Sequence, residues 1–130
     1  MKHFIVWIVA IGVAGSGGSL WATEAHVSER TAPPEETLTG EVVALWCLLR
    51  EGSFGTGRSN HAAQVHCIRL GSPIALKVGA TFYLIATEDR RLRDRLTSLA
   101  GDQVTMQGMV EKHSGYAVIT LSRVERVKEK

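Results

Sequence analysis

Beyond residue 36 the chain alternates apolar and polar positions in runs separated by turn-forming residues, the pattern of strands with one face covered. In the first run, Thr37 to Leu49, one face carries Leu38, Val42, Ala44, Trp46 and Leu48. The other face is polar at Thr39 and Glu41, then apolar at Val43, Leu45, Cys47 and Leu49. Cover on one side early and on both sides later predicts a long strand shared by two parts of a closing sheet, with Gly40 able to relieve the bend. Pro73 to Val78 and Thr81 to Ala86 flank Gly79-Ala80 and predict a hairpin. Leu92, Leu96 and Leu99 then fall at helical spacing between the acidic start Glu88-Asp89 and the stop Gly101. Val104, Met106, Gly108 and Val110 alternate with Gln103, Thr105, Gln107 and Glu111, and His113-Ser114-Gly115 turns the chain into a last strand, Tyr116 to Val127.

The order is strand, long loop, hairpin, helix, hairpin. It predicts an all-β domain with one short helix, a five-stranded OB-fold-like Greek-key barrel.

The N-terminus has a different texture. Lys2 and His3 precede an apolar stretch from Phe4 to Ala14, followed by Gly15, Ser16, Gly17, Gly18 and Ser19. At 1.5 Å per residue such a run covers only about half of a hydrocarbon core. It is expected to be a secretory signal peptide over residues 1–22, cleaved after Ala22 or Ala25; a retained N-terminal anchor is the alternative. Residues 23–36 are polar, contain Pro33-Pro34 and four Glu, and show no period, which predicts a tether. The barrel domain is expected over 37–130.

Composition adds limits. The chain has 130 residues, 15 Lys+Arg against 13 Asp+Glu, 45% hydrophobic residues and two Cys. That allows one domain, and the balanced charge provides no broad electrostatic field for coating nucleic acid. The two Cys are too few for a disulfide scaffold but enough for one bridge or half of a metal site. Export makes the oxidised pair the expected state, because thiols outside the cytoplasm are seldom kept reduced.

The chemistry-bearing residues gather in the segment 50–72 between the first two strands. Cys47 stands at its entrance; Gly52, Gly55, Gly57, His61, His66 and Cys67 follow. Ser59 or Asn60 caps a short helix running to Leu70, with Gly71 as its stop and Pro73 just beyond. In OB barrels this first loop is one of those used for binding.

The run Gly40-Glu41-Val42-Val43, then Cys47, His61 and Cys67-Ile68-Arg69-Leu70-Gly71-Ser72-Pro73-Ile74, resembles a family of small, largely uncharacterised exported bacterial proteins. Its members are similar in having a short β-barrel whose first strand ends in Cys, a His- and Cys-containing helix and a Gly-x-Pro-Ile hairpin start. The resemblance covers about Leu38 to Val127 and implies a fold and a location, not an activity. Family members place His, Cys and a further Cys at helix positions i, i+3 and i+7. This chain departs from that: ending the pattern on Cys67 puts Asn60 and Ala63 at the other positions, and starting it on His61 puts Gln64 and Ile68 there.

Spacing separates two uses of the cassette. His61 and Cys67 are about 120° apart around a helix, and His61 and His66 about 140°, so they do not converge from a regular helix. A ligand set of Cys47, His61, His66 and Cys67 for copper, zinc or haem iron would need that helix frayed, and structural zinc sites use closer pairs. A Cys47–Cys67 bridge needs only that the two meet. It would close a loop of about 20 residues and contribute on the order of 3 kcal/mol.

No nucleophile elbow, zinc-protease helix or phosphate-binding loop is present, so no enzyme is expected. Trp46, Phe54, Phe82, Tyr83 and Tyr116 are too few to serve both a core and a base-stacking groove. Arg90, Arg91, Arg93 and Arg95 are interleaved with Asp89 and Asp94, so nucleic acid is not the expected partner. The expected function is a non-enzymatic exported binding or accessory module without a cofactor. It would engage a protein partner or small ligand through the first loop and barrel face, with Trp46, His61 and His66 as candidate contacts. A metal- or redox-handling role for the four Cys and His residues is the alternative, and a membrane enters only through a retained N-terminal segment.

Overall fold

The computed structural model describes residues 31–128, apart from the side chains of residues 53 and 54. The expected signal peptide and most of the tether lie outside the described residues. Five strands, β1 (Glu35–Ala44), β2 (Ile74–Val78), β3 (Thr81–Ala86), β4 (Gln103–His113) and β5 (Tyr116–Arg126), close a barrel in the order β1-β2-β3-β5-β4. Every pairing is antiparallel except β3 with β5. This is the expected OB-fold-like barrel, and β1 begins at Glu35 rather than Thr37.

The bend in β1 is where alternation placed it. Glu35 to Glu41 pair with β4 and Glu41 to Ala44 with β2, so the strand changes partner at Gly40-Glu41. A Cβ on Gly40 would stand 2.3 Å from the Lys77 carbonyl oxygen; only glycine lets the two backbones cross so closely.

The first strand ends sooner than expected. It stops at Ala44, and residues 45–51 form a helix, α1 (Leu45–Glu51), so Cys47 sits on a helix and not on a strand end. Leu-Trp-Cys-Leu-Leu-Arg-Glu fits a helix as well as a strand, because so short an apolar run has no decisive period. Tertiary partners decide it. The Leu45 N–H donates to the Pro73 carbonyl at 2.9 Å and the Trp46 N–H to Ser72 Oγ at 3.0 Å, satisfying two of the orphan donors of the helix start from 26 or more residues away.

The cassette then runs through a 3₁₀ turn, Arg58–Asn60, into the expected helix α2 (His61–Arg69), and α3 (Arg90–Ser98) follows β3. Asp89 caps α3, its carboxylate accepting the Arg91 N–H at 2.8 Å. The domain therefore has three short helices, of which α2 and α3 were expected and α1 was not.

Inward residues of all five strands form the core: Val42, Leu76, Tyr83, Met106 and Ile119 are buried together with Leu96 of α3, Ile68 of α2 and Cys47 of α1. A second, smaller cluster lies on the outer face of the sheet. There Val43 and Ala75 are fully buried beneath Leu48 of α1, with Phe82 beside them. The late apolar face of the first strand is thus covered by its own continuation, folded back as α1.

Candidate functional site

The cassette is held in place by a disulfide and by the hydrogen bonds of two buried polar side chains. Cys47 and Cys67 form a disulfide, with their Cα atoms 6.2 Å apart, joining α1 to α2. Gln64 is fully buried; its Oε1 accepts the Ala44 N–H at 3.2 Å and its Nε2 donates to the Gly57 carbonyl at 3.4 Å. Ser72, also fully buried, accepts from Trp46 and donates to the Pro73 carbonyl at 3.1 Å. A polar side chain with no access to water is stable only with its partners made, so Gln64 and Ser72 set the geometry of the β1–α1 corner.

His61 Nδ1 lies 2.7 Å from the Ala100 carbonyl oxygen. A carbonyl only accepts, so Nδ1 carries the proton. The ring faces a groove between α2 and α3 with Val65, Arg69, Arg93 and Thr97. His66 is exposed on α2, away from this groove. The four Cys and His residues are therefore not brought together: both sulfurs are bonded to each other, His61 is tied to Ala100, and His66 faces outward. Among the described residues no group of three or more His, Cys, Asp or Glu side chains is placed to hold a metal ion. Ligation by Cys47 and Cys67 would first require reduction, since it is thiolate that binds.

Trp46 is 47% exposed on α1, with Leu49 one turn on, also exposed. The indole passes within 3.8 Å of where a Cβ on Gly71 would stand, next to exposed Leu70. Leu45, the residue before Trp46, lines an open groove of about 560 Å³ together with Phe82, Leu84, Lys112, His113 and Tyr116. Tyr116 is exposed and stacks on His113, ring centroids 4.8 Å apart. Trp46 was legible in the sequence as a candidate contact; Leu49, Leu70 and Tyr116 read there as strand or helix positions, and only the fold shows that they face outward.

No family model, no curated protein and no solved structure matches this chain.

Proposed function

We propose that the protein is a non-enzymatic exported binding module, of the kind its resemblance to small exported barrel proteins implies, and that it takes an apolar segment of a protein partner across α1 and the groove over β3. The observation that carries this reading is the outward display of Trp46 and Leu49 on α1 and of Leu70 at the end of α2, with exposed Tyr116 lining the groove that Leu45 also lines. Large apolar side chains left in water are unfavourable by roughly 25 cal/mol per Å², and a cluster of them marks an interaction surface more often than chance. Trp and Tyr are also the residue types that dominate interface energies, and Arg50 and Arg69 lie beside Leu49 and Leu70 as a polar rim.

The disulfide supports the same reading in a structural capacity. It fixes α1 to α2, and α1 carries two of the proposed contacts. The bond is also compatible with export, since disulfides persist where thiols are not kept reduced. Among the described residues no helix is long and apolar enough to cross a membrane.

The test is a peptide-display selection on the oxidised chain, followed by titration of the enriched peptides against wild type, Trp46→Ser and Tyr116→Ser. The expected peptides carry clustered apolar side chains and lose about tenfold or more in affinity for both variants. Peptides that bind all three proteins equally would sink the proposal.

A further inference from the structure

At the opposite end of the β4–β5 ladder from Tyr116 lies a cluster that the binding surface does not use. Asp102, immediately before β4, has a side chain only 11% exposed. Its Oδ2 is held by Arg58 Nη1 at 3.0 Å and by Arg126 Nη2 at 2.7 Å, and its Oδ1 also accepts from Arg58 Nη1 at 3.1 Å. The three residues come from three parts of the fold: the cassette turn, the start of β4 and the end of β5. Both arginine side chains remain more than half exposed, at 58% and 57%. With Gly101, Gln103 and Val127 they line an open depression of about 800 Å³, together with Lys128.

Donor arithmetic points outward from this cluster. A guanidinium has five N–H donors. Arg58 spends only Nη1 on Asp102 and Arg126 only Nη2, leaving Nε and the other Nη of each without a partner among the described residues. Lys128 has no ion-pair partner among the described residues. Glu41, whose carboxylate accepts the Gly57 N–H one residue before Arg58, does not line the depression. Three cations therefore converge on a depression lined by one carboxylate, and that carboxylate is largely buried beneath them.

The floor is rigid. The Gly101 N–H donates to the Val42 carbonyl at 2.7 Å, the Val42 N–H to the Asp102 carbonyl at 3.1 Å, and the Val127 N–H to the Gln103 carbonyl at 2.9 Å. The two arginines are thus positioned before any ligand arrives, which lowers the entropy lost on binding.

We propose that Arg58, Arg126 and Lys128, organised by Asp102, form a binding site for a tetrahedral phosphoryl group. Paired guanidiniums present planar N–H forks that fit the edges of such a group, and the ammonium adds a point charge at the rim. A dianion compensates the excess charge of the cluster better than a carboxylate does. The phosphoryl group is either inorganic phosphate or the monoester of a small molecule, and the site recognises the chemistry they share.

The experiment is calorimetric titration of the full oxidised chain with inorganic phosphate and with glycerol phosphate, at constant ionic strength and against a chloride control. The expected result is saturable binding of phosphoryl compounds that chloride does not reproduce, weakened about tenfold by Arg126→Gln and severalfold by Lys128→Gln. A preference for glycerol phosphate identifies a monoester as the ligand; equal affinity identifies phosphate itself. Arg126→Gln also breaks a contact with Asp102 and lowers stability if it acts as a cross-link, whereas Lys128 touches no carboxylate among the described residues and reports on binding. Absence of saturable binding, or binding that Lys128→Gln and Arg126→Gln leave unchanged, overturns the proposal.

Discussion

Gln64 does for Ala44 what a neighbouring strand would do: its Oε1 accepts the Ala44 N–H at 3.2 Å, inside the protein and 20 residues away in sequence. The bond stands where β1 gives way to α1, so this amide side chain holds the corner together with Ser72 and the Pro73 carbonyl.

Replacement of Gln64 by Leu is therefore expected to destabilise the domain by about 1–3 kcal/mol, because Leu fills the volume but leaves the Ala44 N–H buried without a partner. Equilibrium denaturation in urea measures it. A loss of less than about 0.5 kcal/mol would show that the corner is held by its other bonds.

The disulfide makes a separate prediction. Intact mass of the oxidised protein should be two hydrogens, about 2 Da, below the reduced chain, and the Cys47→Ala, Cys67→Ala double variant should lose on the order of 3 kcal/mol for a loop of this length. The variant should keep the barrel's circular dichroism. A wild-type mass equal to that of the reduced chain would contradict the bond.

Gly101 and Gly79 form a matched pair. Both have positive φ, +87° and +60°, but a Cβ on Gly101 would lie 2.5 Å from the Gly57 carbonyl oxygen, whereas nothing lies within 4 Å of one on Gly79. Gly79→Ala is expected to cost about 1 kcal/mol of backbone strain alone. Gly101→Ala should cost more than twice that, since the cassette must also move off the β4 start. Thermal unfolding of the two variants side by side checks the order, and equal losses would refute the close approach.

His61→Ala removes the bond to the Ala100 carbonyl and should lower stability by about 1 kcal/mol, while His66→Ala, on the exposed face, should change it by less than about 0.5 kcal/mol. The same two proteins distinguish a ligand role. After reduction and addition of one equivalent of copper(I) or zinc, ligation by the four residues would make both variants weaker binders than wild type, and loss in neither removes that role.

Much of the fold was legible because one face of most strands meets the core and the other meets water. The hairpin at Gly79-Ala80, the helix of Leu92, Leu96 and Leu99, and the alternation from Val104 to Val110 all stand where the pattern put them. The pattern was least informative where both faces are covered. From Val43 to Leu49 every position is apolar, so a strand and a helix read alike. Ser72 and Pro73, which accept the first N–H groups of α1, lie too far along the chain for any local rule to connect them.

The cassette divides in the same way. The Cys47–Cys67 pair was readable from compartment and spacing, and Trp46 from its place at the loop entrance. Gln64 carried one local sign, lying three residues after His61 and four before Ile68 on the buried face of α2, but nothing local identifies Ala44 as its partner. Arg58, Asp102 and Arg126 carried no sign at all, being ordinary surface types far apart in the chain.

By itself, then, the sequence determined the barrel's element order, its bent first strand and the pair of cysteines, because period and spacing are local properties of a chain. Only the tertiary structure decided that the first strand stops at Ala44, that Leu45 and Tyr116 line one groove, and that two arginines share one oxygen of Asp102. Those outcomes depend on which distant groups satisfy a backbone donor or a charge, and that is settled when the barrel closes.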